Sequence, residues 1–211
     1  MTNDWLIAGL AMLVLLALVL SGWDPYDRGT WILEVAPVFI AAPILIATYR
    51  RFPLTSLLYV LICVHALVLI IGGAYTYARV PLGFWMEDAF GLSRNPYDKI
   101  GHFMQGFVPV LIAREILLRE RYLSSRGMTA FLSVCVALAV SAFYELVEWW
   151  SALALGQDAN AFLATQGDPF DTQSDMFFAL IGACLALLVL SRTQDRQISA
   201  MTADARDGSQ L

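Results

Sequence analysis

Six apolar runs, each close to twenty residues long, decide what this 211-residue chain can fold into. They cover residues 5–20, 31–48, 54–75, 98–118, 129–150 and 171–191. About 20 helical residues cross the roughly 30 Å of bilayer hydrocarbon. No water there satisfies exposed backbone groups, so each run must close its own hydrogen bonds as a helix. Composition agrees: 59% of residues are hydrophobic and 15% charged, against about 45–50% and 25% in soluble domains. The sequence therefore predicts an all-α polytopic membrane helix bundle. Residues 1–192 form its six-helix transmembrane domain, and 193–211 read as a disordered cytoplasmic tail. The first run carries Asp4 instead of a basic stretch and has no Ala-x-Ala before Ser21. It reads as a retained helix, not a signal peptide. Cys63, Cys135 and Cys184 are odd in number and lack a CxxC spacing. They read as small buried hydrophobes, not as a disulfide framework or a zinc site. No polybasic segment exists for nucleic acid, and no nucleophile elbow or Walker loop is present.

Basic residues set the expected orientation. Arg50, Arg51, Arg114, Arg119, Arg121, Arg126, Arg192, Arg196 and Arg206 fall on one side, and Arg28, Arg79, Arg94 and Lys99 on the other. The richer side is cytoplasmic by this rule, which places both termini in the cytoplasm. Arg114, Glu115, Arg119 and Glu120 then read as charges snorkelling to the inner interface.

The stretch Asn95-Pro96-Tyr97-Asp98-Lys99-Ile100-Gly101-His102 opens the fourth run. Its pattern, [DN]-P-[FY]-D, recurs at Asp24–Asp27 and Asp168–Asp171, before the second and sixth runs. Asn or Asp as N-cap, Pro at the first helical position and a carboxylate near the positive helix end form a start signal. Asp98 and His102, Glu145 and Glu148, and Asp171 and Asp175 sit three or four apart, so each pair shares a helix face. The topology brings all three pairs to one depth at the outer end.

Carboxylates at membrane depth are costly and mark function. Five beside one imidazole need cations to balance them. Asp98, His102, Glu145, Glu148, Asp171 and Asp175 are thus candidate ligands for a divalent metal: Zn²⁺, Mn²⁺ or Fe²⁺ by donor type, or Mg²⁺ for an all-oxygen subset. Glu145, Glu148 and His102 are candidates for acid–base chemistry. Gln105, Tyr144, Asp168, His65 and Arg94 are supporting candidates. Gln105 and Tyr144 would orient ligands, Asp168 would cap, and Arg94 would hold an anion such as a phosphate head group. His65, mid-span, reads as a histidine bonded across helices, or as part of a proton relay. Gly72, Gly73, Gly101 and Gly106 read as close-packing positions.

At Tyr97–Phe107, Phe143–Trp149 and Gly167–Met176, and at His65, Gly72–Tyr77 and Arg94-Asn95, the chain resembles the YjdF family of bacterial inner-membrane proteins. Asp98-Lys99-x-x-His102-Phe103, the later glutamates and Asp171-x-x-x-Asp175 are also similar to VanZ-like membrane proteins, although Asp168 and Pro169 stand where those carry an arginine. The resemblance implies a multi-pass location in the bacterial inner membrane and no particular reaction.

Three functions fit these residues: metal-assisted hydrolysis or group transfer on a lipid or lipid-linked substrate, proton- or metal-ion-coupled transport, and non-enzymatic assembly or lipid binding. Membrane lipids and an amphiphilic or phosphate-bearing substrate are the expected partners. Reporter fusions test the orientation: a fusion at Gly127 should be active only as a cytoplasmic reporter, and an outer location there removes the argument for convergence.

Overall fold

In the computed structural model, residues 4–155 and 168–207 are described. Seven helices are found among them: α1 (Asp4–Trp23), α2 (Arg28–Thr48), α3 (Ser56–Tyr75), α4 (Pro81–Phe90), α5 (Tyr97–Arg119), α6 (Arg126–Leu155) and α7 (Asp171–Asp207). All except α4 are long and apolar enough to cross a membrane, so the expected six spans are present. The ten residues of α4 reach only about 15 Å at 1.5 Å per residue. This helix, absent from the sequence reading, starts with Pro81 in its first turn and ends at Gly91, whose φ of 63° closes it in the left-handed region.

The repeated start signal opens α2, α5 and α7, with a shift from the expected register. Asp27 is the N-cap of α2, and its carboxylate accepts from the Thr30 amide at 2.6 Å. That bond holds the Asp27 carboxyl below its ordinary range, so the cap's contribution is complete above the unfolded-chain value and fades as pH falls through the lowered one. In the other two copies Asn95 Oδ1 accepts from Tyr97 N at 3.1 Å and Asp168 Oδ1 from Phe170 N at 2.9 Å. These are turns bonded two residues on. They leave the proline before the helix, not at its first position: Pro96 is the N-cap of α5.

The core of the bundle is the packing of α5 on α7, with α6 against both. Glycine makes it possible. A Cβ on Gly106 would lie 1.8 Å from the Ala179 carbonyl oxygen, and one on Gly182 would lie 2.1 Å from that of Phe103. The obstruction is backbone, which cannot rotate away. On the other flank α3 packs against α5, and α1 and α2 pack against α3. The Tyr77 ring lies against Gly72 and Gly101, where added Cβ atoms would come within 2.3 and 2.9 Å of it. Thr76 and Tyr77 turn the chain there with φ of 58° and 45°.

At the end of the bundle where α5 finishes, Arg114 and Glu115 do not snorkel. Both are buried. Glu115 accepts from Thr55 N at 2.9 Å and Thr55 Oγ1 at 2.8 Å, and it pairs with Arg119 at 3.0 Å. Arg114 donates to Gln194 Oε1 at 2.8 Å and pairs with Asp195 at 2.7 Å. Gln194 is fully buried, so α7 continues as packed helix past residue 192, where the sequence suggested a disordered tail; residues 208–211 lie outside the described part. Cys63 is buried as expected, whereas Cys135 and Cys184 are exposed on the bundle surface.

Gly106→Ala should destabilise the bundle by about 2 kcal/mol, the usual scale of overpacking. Gly9→Ala, with nothing within 4 Å of the added carbon, should be neutral. Thermal unfolding in detergent compares them; equal midpoints would refute the close-approach account.

Candidate functional site

Helices α2, α5 and α7 begin at one end of the bundle, and α6 ends there. The Asn95 turn is fixed from below: its Nδ2 donates to the Val80 carbonyl at 3.0 Å, and a Cβ on Gly83 would collide with its Oδ1 at 1.7 Å. This sets the first two turns of α5, which carry Asp98, Lys99 and His102, all buried. Across the glycine contact, the first turns of α7 carry Asp171 and Asp175, also buried.

The core of the site is a salt-bridge cluster that the sequence reading did not foresee. Lys99 Nζ lies 2.7 Å from Asp171 Oδ1 and 2.5 Å from Asp175 Oδ1, with Asp98 Oδ2 at 3.6 Å. Arg94 Nη2 reaches Asp171 Oδ1 at 2.8 Å and Asp168 Oδ2 at 2.9 Å. Two resident cations therefore face four carboxylates. Arg94 serves the protein's own aspartates, where the sequence suggested an external anion. Lys99 counted only as a surface charge in the topology argument, yet it is the hub.

His102 joins the cluster edge-on. Its Nδ1 is 3.1 Å from Gln105 Oε1 and 3.6 Å from Glu145 Oε1, and its Nε2 is 3.4 Å from Asp98 Oδ1 and 3.7 Å from Asp175 Oδ1. With Gln105 Oε1 as acceptor, Nδ1 carries the hydrogen and, in the neutral ring, Nε2 presents a lone pair. That lone pair faces two carboxylate oxygens. Lys99 already places one positive charge at Asp175 Oδ1, and a proton on Nε2 or a metal ion would place a second between the three acceptors. One ligand atom each from Asp98, His102 and Asp175 lie within 4.8 Å of one another. This donor set, two carboxylates and an imidazole with its second nitrogen hydrogen-bonded, suits Zn²⁺, Mn²⁺ or Fe²⁺.

Of the six expected ligands, three thus meet. Glu145 stands behind the ring on the Nδ1 side, buried, and its Oε1 has no hydrogen-bond partner among the described residues. Asp171 is held by Arg94 and Lys99. Glu148 faces a cavity of about 820 Å³ that Asp98, His102, Gln105 and Tyr144 also line. His65 lines that cavity too; its Nε2 makes no hydrogen bond among the described residues, so this nitrogen is not bonded across helices as expected. Tyr144 stacks edge-on against His102, with ring centroids 6.3 Å apart, and its hydroxyl donates to Glu34 Oε2 at 3.2 Å.

Glu34 is a residue that sequence reasoning missed. It is 4% exposed, in the second turn of α2, at the same cavity. The signal was present: a lone carboxylate within the apolar run 31–48.

Lys99→Met should cost roughly 3–5 kcal/mol, because it strands buried carboxylates. Adding Asp175→Asn should recover part of that loss. Thermal unfolding of both single variants and the double variant in detergent gives the coupling; strict additivity would contradict a shared ion pair.

Comparison with known proteins now gives the chain its place. The family described as "Predicted membrane protein (DUF2238)" matches residues 6–196. The chain is 57% identical over 188 residues to "Inner membrane protein YjdF" of Escherichia coli (strain K12), covering 89% of this chain and 90% of that protein. No solved structure matches. The chain belongs to the DUF2238 family of membrane proteins.

Proposed function

We propose that this DUF2238 member, in the bacterial inner membrane, binds a divalent metal ion at Asp98, His102 and Asp175 on the outer side of the bilayer, and there hydrolyses or transfers a group on a lipid or lipid-linked substrate. The carrying observation is the opposition of His102 Nε2 to the Asp98 and Asp175 oxygens, with the three ligand atoms within 4.8 Å. Such an ion polarises a phosphoryl or ester oxygen or lowers the pKa of water.

The protein's own groups divide the remaining work. Gln105 fixes the tautomer of His102 by taking the Nδ1 hydrogen. Lys99 shares Asp175 Oδ1, so it limits the negative charge the empty site carries and competes with a weak ligand for that oxygen. Glu148, at the cavity wall without a pairing cation among the described residues, is the candidate base, and Glu145 supports the imidazole. The orientation rests on the charge asymmetry of the loops, and the membrane assignment on the named relative and the six spans.

Transport is the weaker reading. Between the cluster and the far end of the bundle, α5 and α7 meet through fully buried Val110, Leu111, Ala183 and Ala186, which offer a cation no polar path between those helices. Beyond them Glu115 and Gln194 are already satisfied by each other and by Thr55.

Elemental analysis tests the metal. The protein, purified without chelator and then offered Zn²⁺, Mn²⁺, Fe²⁺ or Mg²⁺, should retain one of them at stoichiometric level. His102→Ala and Asp175→Asn should each reduce retention by at least roughly tenfold, in keeping with the loss of a ligand. Wild-type protein that retains none of the four ions would overturn the reading.

A further inference from the structure

The 820 Å³ cavity is polar at one end and apolar along the rest, which is the profile of an amphiphile. Its polar end gathers Glu34, His65, Asp98, His102, Gln105 and Glu148, and its remaining wall is built mainly from aliphatic side chains of α1, α2, α3 and α5, joined by the rings of Phe39, Tyr49 and Tyr59. The volume is within the usual range for a site that encloses most of a ligand. Depth gives the second constraint. Asp98 and Ile112 both line the cavity, and they stand roughly 21 Å apart along α5 at about 1.5 Å per residue. One leaflet of hydrocarbon is half of about 30 Å, so the cavity continues past the bilayer midplane.

The walls also differ in how they are held. Helix α2 packs on α3, while the gap between α2 and α6 is crossed at the polar end by the hydrogen bond from Tyr144 to Glu34. Below that bond α2 carries Pro37 and Pro43, each of which removes a backbone hydrogen bond and weakens the helix. His65, facing the cavity with Nε2 unbonded among the described residues, offers a hydrogen-bonding group that a head group can use.

We infer that this cavity holds the single long apolar chain of an amphiphile, with the head group at Glu34, His65 and His102 and the chain end beyond the midplane, near Leu45, Ile62 and Ile112. The inference extends the reading above by naming its substrate class: a lipid with a chain longer than one leaflet, drawn from the bilayer between α2 and α6. Binding of the chain fixes the head group beside Asp98 and His102, and selectivity for chain length comes from the depth of the apolar wall.

The test uses full-length protein in vesicles of phosphatidylethanolamine and phosphatidylglycerol containing a trace of a single-chain alkyl phosphate whose chain is longer than one leaflet and ends in a diazirine. After irradiation, peptide mass spectrometry should find label concentrated at Leu45, Ile62 and Ile112. Ala42→Trp and, from the α1 side, Ala11→Trp fill the cavity and should each lower that labelling by roughly tenfold, the effect of about 1.4 kcal/mol of lost contact. Ala8→Trp, outside the cavity lining, should not. Labelling spread over bilayer-facing residues such as Val64 and Leu188, or unchanged in both filling variants, would overturn the inference. Metal content is read on the same samples, and neither filling variant removes a proposed ligand. Absence of metal with concentrated labelling would defeat the metal reading alone, and retained metal with spread labelling would defeat the chain site alone.

Discussion

The ammonium of Lys99, held among Asp98, Asp171 and Asp175, is the interaction on which the site end of the bundle depends. Three buried carboxylates from two helices would repel one another in a medium of low dielectric. Lys99 converts that repulsion into a tie between α5 and α7, and Arg94 extends it to Asp168. An ion pair of this kind adds little net stability compared with an apolar contact of the same shape, because its charges lose their hydration. What it adds is specificity: it fixes the rotation and depth of α7 against α5, so that Asp175 faces His102. The backbone contacts at Gly106 and Gly182 bring the helices close enough for a lysine on one to reach two aspartates on the other.

The fold was legible because bilayer physics leaves few choices. Hydrophobic length gave the six spans, charge asymmetry gave an expected orientation, and the repeated helix-start pattern placed the carboxylates at one end. Convergence of Asp98, His102, Glu145 and Asp175 follows from those three facts without any knowledge of packing. Helix α4 was not legible: ten mixed residues carry no periodicity strong enough to separate a short interfacial helix from a loop.

The site was less legible, for a reason of geometry. Asp98 and His102 stand four apart, which suggests a shared face, but Lys99 adjoins Asp98 and on a helix neighbours diverge. A four-carbon stem bridges that divergence only when another helix lies close, and the closeness depends on glycines whose partners are 70 or more residues away. Glu34 was passed over because no second ionisable residue stands three or four positions from it; its partner, Tyr144, comes from another helix. Glu115 looked like an interfacial charge, and Gln194 like part of a disordered tail, for the same reason. Charges were read by position along the chain, whereas their burial is set by which helix they face.

The two polar clusters therefore divide the molecule mechanically. One ties the first turns of α5 and α7, and the other ties Thr55, Glu115, Arg114 and Gln194 at the opposite end. Between them run the tight glycine contacts, so α5 and α7 are clamped along their length. The α1–α2 side has no such charged cluster among the described residues: α1 buries none of its residues, neutral donors join Trp31 to Ser21 and Tyr26 to Ala74, and α2 meets α6 through the hydrogen bond at Glu34. Motion that opens the cavity to the bilayer costs least on that side, because beyond the Tyr144–Glu34 bond it breaks aliphatic contacts that lipid replaces in kind. Motion of α5 or α7 would separate buried charges that lipid cannot solvate. The protein thus keeps Asp98, His102 and Asp175 on the clamped half, beside a cavity bounded by the less constrained one. The proposed metal site and the proposed chain site would each draw on one of these halves.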